Sequence, residues 1–121
     1  MKKVVLLLFV LLLLCGCSSE KMASVKGVTC SEEKEILKDS KAMLIDVRTK
    51  EEFDEGHLKD AINIAYDQIV EILDTYGTID FNTPIVVYCK SGGRSSAAAK
   101  ALLEAGYKKI YDLGAMSNCA R

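Results

Sequence analysis

The segment Ile85-Val86-Val87-Tyr88-Cys89 constrains the fold more than any other, because it offers no polar face to water. A strand apolar on both sides must be covered on both sides, and parallel sheets flanked by helices provide that environment. Pro84 sits just before it, where a residue without an N–H is tolerated. Immediately after it come two glycines, an arginine and an alanine-rich stretch of helical character that ends at Gly106. The unit reads as strand, tight turn and helix over residues 84–106.

Shorter units of the same kind precede and follow it. SVKGVT (24–29) predicts an edge strand, and SEEKEILKDS (31–40) predicts a charged helix with Ile36 and Leu37 on its apolar side and Ser31 as N-cap. AMLIDV (42–47) is a buried strand, KEEFDEG (50–56) a short helix stopped by Gly56, and AINIA (61–65) a small strand. Tyr66 to Tyr76 carries apolar residues at helical spacing, residues 95–105 form the long helix, and KKIYDL (108–113) is the last strand. Strands alternating with helices give an α/β fold with a central parallel sheet of four or five strands. A chain of 121 residues has room for one such domain.

The first residues obey a different pattern. Lys2 and Lys3 precede an apolar run from Val4 to Leu14, shorter than the roughly 20 residues of a membrane-spanning helix. This is the form of an export signal. Leu14-Cys15-Gly16-Cys17 resembles the lipobox of bacterial lipoproteins, which implies cleavage after residue 16 and a lipid on Cys17. An ordinary cleaved signal, or an uncleaved anchor, is the alternative. The expected organisation is a signal over 1–16, a tether over 17–24 and a domain over 25–121, exported and held to a membrane by lipid chains. Without Lys2 and Lys3 the chain carries 14 basic against 17 acidic residues, and no basic run that would attract nucleic acid.

Of the five cysteines, Cys15 lies in the signal and Cys17 is the lipidation candidate, leaving Cys30, Cys89 and Cys119. Three thiols make at most one bridge and leave one over. There is no Cys-x-x-Cys spacing and the single histidine is His57, so neither zinc nor a vicinal dithiol is indicated. Cys89 stands at the carboxyl end of a parallel strand, where open α/β sheets bind ligands. The turn Lys90-Ser91-Gly92-Gly93-Arg94 leads to Ser95 in the following helix. Gly92 and Gly93 permit backbone angles that let successive N–H groups converge, and the helix N-terminus adds positive potential. Such a cup holds an anion and favours the reactive thiolate. Taken alone, Cys89 reads first as an inert core cysteine; the Gly-Gly turn, the arginine and the helix together reverse that weighting.

Three stretches in order resemble the single-domain rhodanese, or thiosulfate sulfurtransferase, family. LIDVRTKEEFDEGHLKDAINI matches its D-V-R, E-F/Y, G-H-I/L and A-x-N-I/L run; VVYCKSGGRSSAAAKAL matches its C-x-x-G-x-R-S loop; YDLGAMSN matches its closing L-G-G-M-S pattern. The resemblance spans about residues 25 to 119 and implies Cys89 as the nucleophile that becomes a persulfide. Backbone N–H groups from Lys90 to Ser95 would hold the anion, a thiosulfate-like donor would supply sulfur, and cyanide or a thiol would accept it, with no cofactor. Cysteine phosphatases and related arsenate reductases place five residues between cysteine and arginine, whereas four intervene here. A non-catalytic or redox-regulatory module, served by a redox partner protein, is the other alternative.

Asp46, Arg48 and Glu52 are expected to form a structural ion-pair network beside the strand end, and His57 to hydrogen-bond the backbone. Arg94 either binds the anion or braces the loop against an acidic residue; Met116 and Ser117 border the pocket mouth, and Cys30 is structural. Two departures from the family stand out: Ala115 replaces a usual glycine, and Cys119 a frequent tryptophan. With only two residues beyond Cys119, a final helix is not expected, leaving the last strand less well covered. Cys119 itself either substitutes for an apolar surface side chain or serves Cys89 as a resolving thiol.

Overall fold

The computed structural model describes residues 23–119, so the signal, Cys17 and most of the tether lie outside the described residues. Five parallel strands, β1 (Val25–Gly27), β2 (Met43–Asp46), β3 (Ile62–Asn63), β4 (Ile85–Cys89) and β5 (Ile110–Ala115), form one sheet in the order β1-β5-β4-β2-β3. The helices are α1 (Cys30–Ile36), α2 (Lys50–Asp54), α3 (Ile69–Leu73) and α4 (Gly93–Ala105), followed by a 3₁₀ turn at Met116–Asn118.

β4 occupies the centre, paired with β2 and β5, and every one of its residues is buried. Its side chains alternate between faces. Ile85, Val87 and Cys89 join the core under α3 and α4, with Ile69, Leu73, Ala98, Ala99 and Leu102. Val86 and Tyr88 join the opposite core, packed by Ile36 of α1, Leu37 at its C-cap and Phe53 of α2. Burying each large apolar side chain contributes about 1.5–3 kcal/mol, which is why this strand tolerates no polar position.

The strand order reverses between β2 and β4: from β2 the chain moves outward to β3, then returns to β4 and continues to β5 on the other side. The turns after β2 and β4 therefore diverge, one into α2 and one into α4, and leave a crevice between them. That crevice is where the charged and nucleophilic residues gather.

Local differences from the expected elements have simple causes. α1 is capped by Thr29, not Ser31: the Thr29 hydroxyl accepts from Glu32 N while the Glu32 carboxylate accepts from Thr29 N. α4 begins at Gly93, two residues before Ser95. β5 runs on to Ala115 through an irregularity opposite Val87 and Tyr88, where Gly114 takes a φ of +79°. The last strand is not poorly covered; Ile110 and Leu113 are only 1% and 2% exposed, and Met116 and Cys119 pack against the second core.

Candidate active site

Cys89 ends β4 at the floor of a cup, with 1% of its surface exposed. Gly92 adopts a left-handed φ of +103°, which folds the turn back so that its N–H points at the Cys89 sulfur, 2.9 Å away. Gly93 needs no such conformation; it opens α4 with ordinary helical angles, so the glycine pair is not two equivalent devices. Burial opposes ionisation of Cys89 and is the largest single influence. It is outweighed by hydrogen bonds from the Ser95 hydroxyl and N–H and from the N–H groups of Gly92 and Ser91, which hold the thiol below its ordinary value. The Ser95 hydroxyl also lies 3.1 Å from Gly92 O. Its one proton serves either the carbonyl or the sulfur, and goes to the sulfur once Cys89 carries charge.

The expected charged trio divides into two pairs. Asp46 and Arg48, both buried, form a fork (Arg48 Nη2 to Asp46 Oδ2, 2.6 Å), and Arg48 also donates to Gly56 O at 2.7 Å. Glu52 is not part of that pair. It receives Arg94 Nη1 and Nη2 at 2.7 and 3.1 Å, tying the turn after β4 to α2. Arg94 therefore braces the loop. The bond to Arg94 is the largest of the effects that lower Glu52 to about 2. Asn63 fixes the turn after β2 by donating to the carbonyls of Asp46 and Arg48. His57 stacks on Phe53 and meets Phe53 O through Nδ1 at 3.0 Å, in the backbone role expected of it.

Beside the cup lies a cleft of about 450 Å³ bordered by Arg48, Glu52, Glu55, Lys90, Met116 and Ser117. Met116 and Ser117 thus stand where expected, and Lys90 offers an exposed positive charge at the rim. Tyr88, on the far face from Cys89, accepts from Leu58 N at 3.0 Å and seals the floor beneath Arg48. Sequence reasoning passed over Tyr88 as a positioning group; a tyrosine within a wholly apolar strand was the signal, since its hydroxyl requires a partner.

Cys119 does not face Cys89. It is bonded to Cys30, with Cα atoms 5.2 Å apart, and Cys89 is the free cysteine among the described residues. The resolving-thiol role for Cys119 is therefore overturned.

The family model of the rhodanese-like domain matches residues 29–118. The chain belongs to the rhodanese family. A rhodanese from E. coli, solved with anions, is 33% identical with a TM-score of 0.60, over 65% of this chain and 92% of that one. Human single-domain sulfurtransferase TSTD1 shares the fold at 22% identity and a TM-score of 0.65, covering 78% of this chain and 95% of its own. A Staphylococcus saprophyticus protein is 27% identical with a TM-score of 0.64, covering 78% and 93%. The rhodanese module described here is thus of sulfurtransferase type, with Cys89 at the position of the family's C-x-x-G-x-R-S loop.

Proposed function

We propose that the protein moves a sulfane sulfur from thiosulfate, or a related donor, to a thiophilic acceptor through a persulfide on Cys89. The observation that carries this reading is the Gly92 N–H aimed at the buried Cys89 sulfur at 2.9 Å, at the strand end where Ser91 and Ser95 also help to lower the thiol. In the first step the Cys89 thiolate attacks the outer sulfur of thiosulfate. The S–S bond of the donor breaks, and sulfite leaves with the electron pair. The N–H groups that favoured the thiolate then hold the terminal sulfur of the persulfide anion, so one set of donors serves both states. In the second step cyanide or a thiolate attacks that terminal sulfur and Cys89 departs as thiolate, with no net redox change at the protein.

Lys90 and the backbone of the 90–95 turn supply the anion's binding charge, because Arg94 is occupied by Glu52. The four-residue spacing from Cys89 to Arg94 favours this small cup over the wider cradle of a cysteine phosphatase. For location we propose an exported protein held to the membrane by a lipid on Cys17, supported by the Leu14-Cys15-Gly16-Cys17 sequence. Mass spectrometry of the mature N-terminal peptide tests this, and an unacylated N-terminus at another residue would refute it.

The decisive experiment treats the full chain with thiosulfate and maps added mass. One extra sulfur on the Cys89 peptide, absent in a folded Cys89→Ser protein, is expected. Steady-state assays with thiosulfate, polysulfide and an aryl phosphate run alongside; turnover of the phosphate alone would overturn the reading.

A further inference from the structure

On the face opposite Cys89, the Cys30–Cys119 bridge opens onto a second cleft of about 340 Å³, bordered also by Glu33, Lys34, Leu37 and Leu58. Both cysteines are half-buried. The Glu33 side chain turns inward from α1 toward them, and its residue is 5% exposed. Its carboxylate oxygen lies 3.9 Å from Cys119 Sγ, and the three groups sit within 4.8 Å of one another. Among the described residues no N–H or O–H donates to this carboxylate. A disulfide sulfur has no proton to give, so in the oxidised state the Glu33 carboxylate has no protein donor and meets only the water of the cleft that it lines. That places an acid with access to solvent protons directly beside both sulfurs.

We propose that Cys30, Cys119 and Glu33 form a second reactive centre, a thiol–disulfide exchange site reduced by an external dithiol, in which Glu33 carries the proton. A thiolate of the reductant attacks Cys30 Sγ. The Cys30–Cys119 bond breaks, and Cys119 Sγ leaves with the electron pair and takes the proton of the Glu33 carboxyl. The second thiol of the reductant, as thiolate, then attacks its own sulfur in the mixed disulfide and releases Cys30. Two electrons pass to the protein and the reductant becomes a disulfide. In reverse, the Glu33 carboxylate removes the Cys119 proton and so generates the attacking thiolate. Burial raises the Glu33 carboxyl above its ordinary value, against a smaller opposing pull from Lys34. Lys34 from α1, Lys38 just beyond its end, and Lys59 and Asp60 from the segment before β3 are the other charged groups on this cleft. The three lysines favour an approaching thiolate.

The test uses the full chain in detergent with Cys89→Ser, which separates this centre from sulfur transfer. Reduction by dithiothreitol is followed by acid quench, alkylation and the mass of the Cys30–Cys119 cross-linked peptide. The expected result is reduction of the folded chain, with Glu33→Gln slowing it about tenfold or more at neutral pH. A pH–rate profile should lose one titrating step in Glu33→Gln while urea unfolding of the oxidised proteins stays similar. A bridge that resists dithiothreitol until urea unfolds the chain would overturn the proposal. So would a Glu33→Gln protein reduced as fast as its parent.

Discussion

Arg94 and Glu52, 42 residues apart in sequence, join through two hydrogen bonds that span the crevice between β2 and β4. A lysine would keep the charge of Arg94 but lose the fork. If Arg94 braces the loop, Arg94→Lys should lower kcat/KM for sulfur transfer about 10- to 100-fold, close to the loss in Arg94→Ala. A lysine variant retaining nearly full activity would mean that charge, not bracing, is what this position supplies.

The same pair sets an acid limit. Glu52 is lowered from 4.5 to about 2 in the folded chain, chiefly by Arg94. A depressed carboxyl stabilises the fold fully above its unfolded value and loses that contribution as pH falls through the folded one. The difference in urea midpoint between wild type and Glu52→Gln should therefore be constant above about pH 4.5 and shrink toward pH 2. A difference independent of pH across that window would contradict the assignment.

Cys89 ionises below the ordinary range of a thiol because its hydrogen bonds outweigh burial. Its alkylation by iodoacetamide should therefore show a midpoint below that of an unstructured cysteine peptide. Ser95→Ala removes one donor and should move the midpoint upward, slowing alkylation at pH 7. Peptide-resolved rates across pH give the comparison, and an unchanged midpoint in Ser95→Ala would deny the hydroxyl its role.

The two glycines of the loop should respond differently. Gly92 has a φ of +103°, so Gly92→Ala strains the turn by about 1–2 kcal/mol and misaims the N–H that meets Cys89. Gly93 has ordinary angles and open space where a methyl group would sit, so Gly93→Ala should leave folding and persulfide formation near wild type. Thermal unfolding and thiosulfate turnover of the two variants decide this.

Asp46 is fully buried beneath Arg48, which is 6% exposed. Asp46→Asn preserves shape but leaves the guanidinium buried without its counter-charge, an expected loss of about 3–5 kcal/mol by urea unfolding. A loss under about 1 kcal/mol, the range of exposed pairs, would show that water reaches the pair.

The candidate active loop was legible because its logic is local: an apolar strand, a cysteine, a glycine that permits a reversed turn and a helix follow one another within 21 residues of sequence, 85–105. The parallel sheet was legible from β4, whose lack of a polar face demands cover on both sides. Pairings across the fold were less so. Glu52 reads as a neighbour of Asp46 and Arg48, yet its partner arrives from a different strand–helix unit. Three cysteines leave the bridge undetermined, and only the fold brings α1 against the segment after β5. Thr29 was recoverable, since Glu32 three residues on completes a capping box that Ser31 lacks. Glu33 left a fainter trace: it stands one helical turn before Leu37, on the apolar side of an otherwise charged helix.

Because Cys30 and Cys119 are separated by 89 positions, their bond closes almost the whole domain into a covalent ring. A protease that cuts once between them, for instance in the turns around Gly77, produces two pieces that remain attached to each other. The half bearing Cys89 would stay linked to the half that leads to the N-terminus until the bond is reduced. The bridge thus makes damage to this domain a two-hit event, in which a cut chain is released only after an encounter with a reductant.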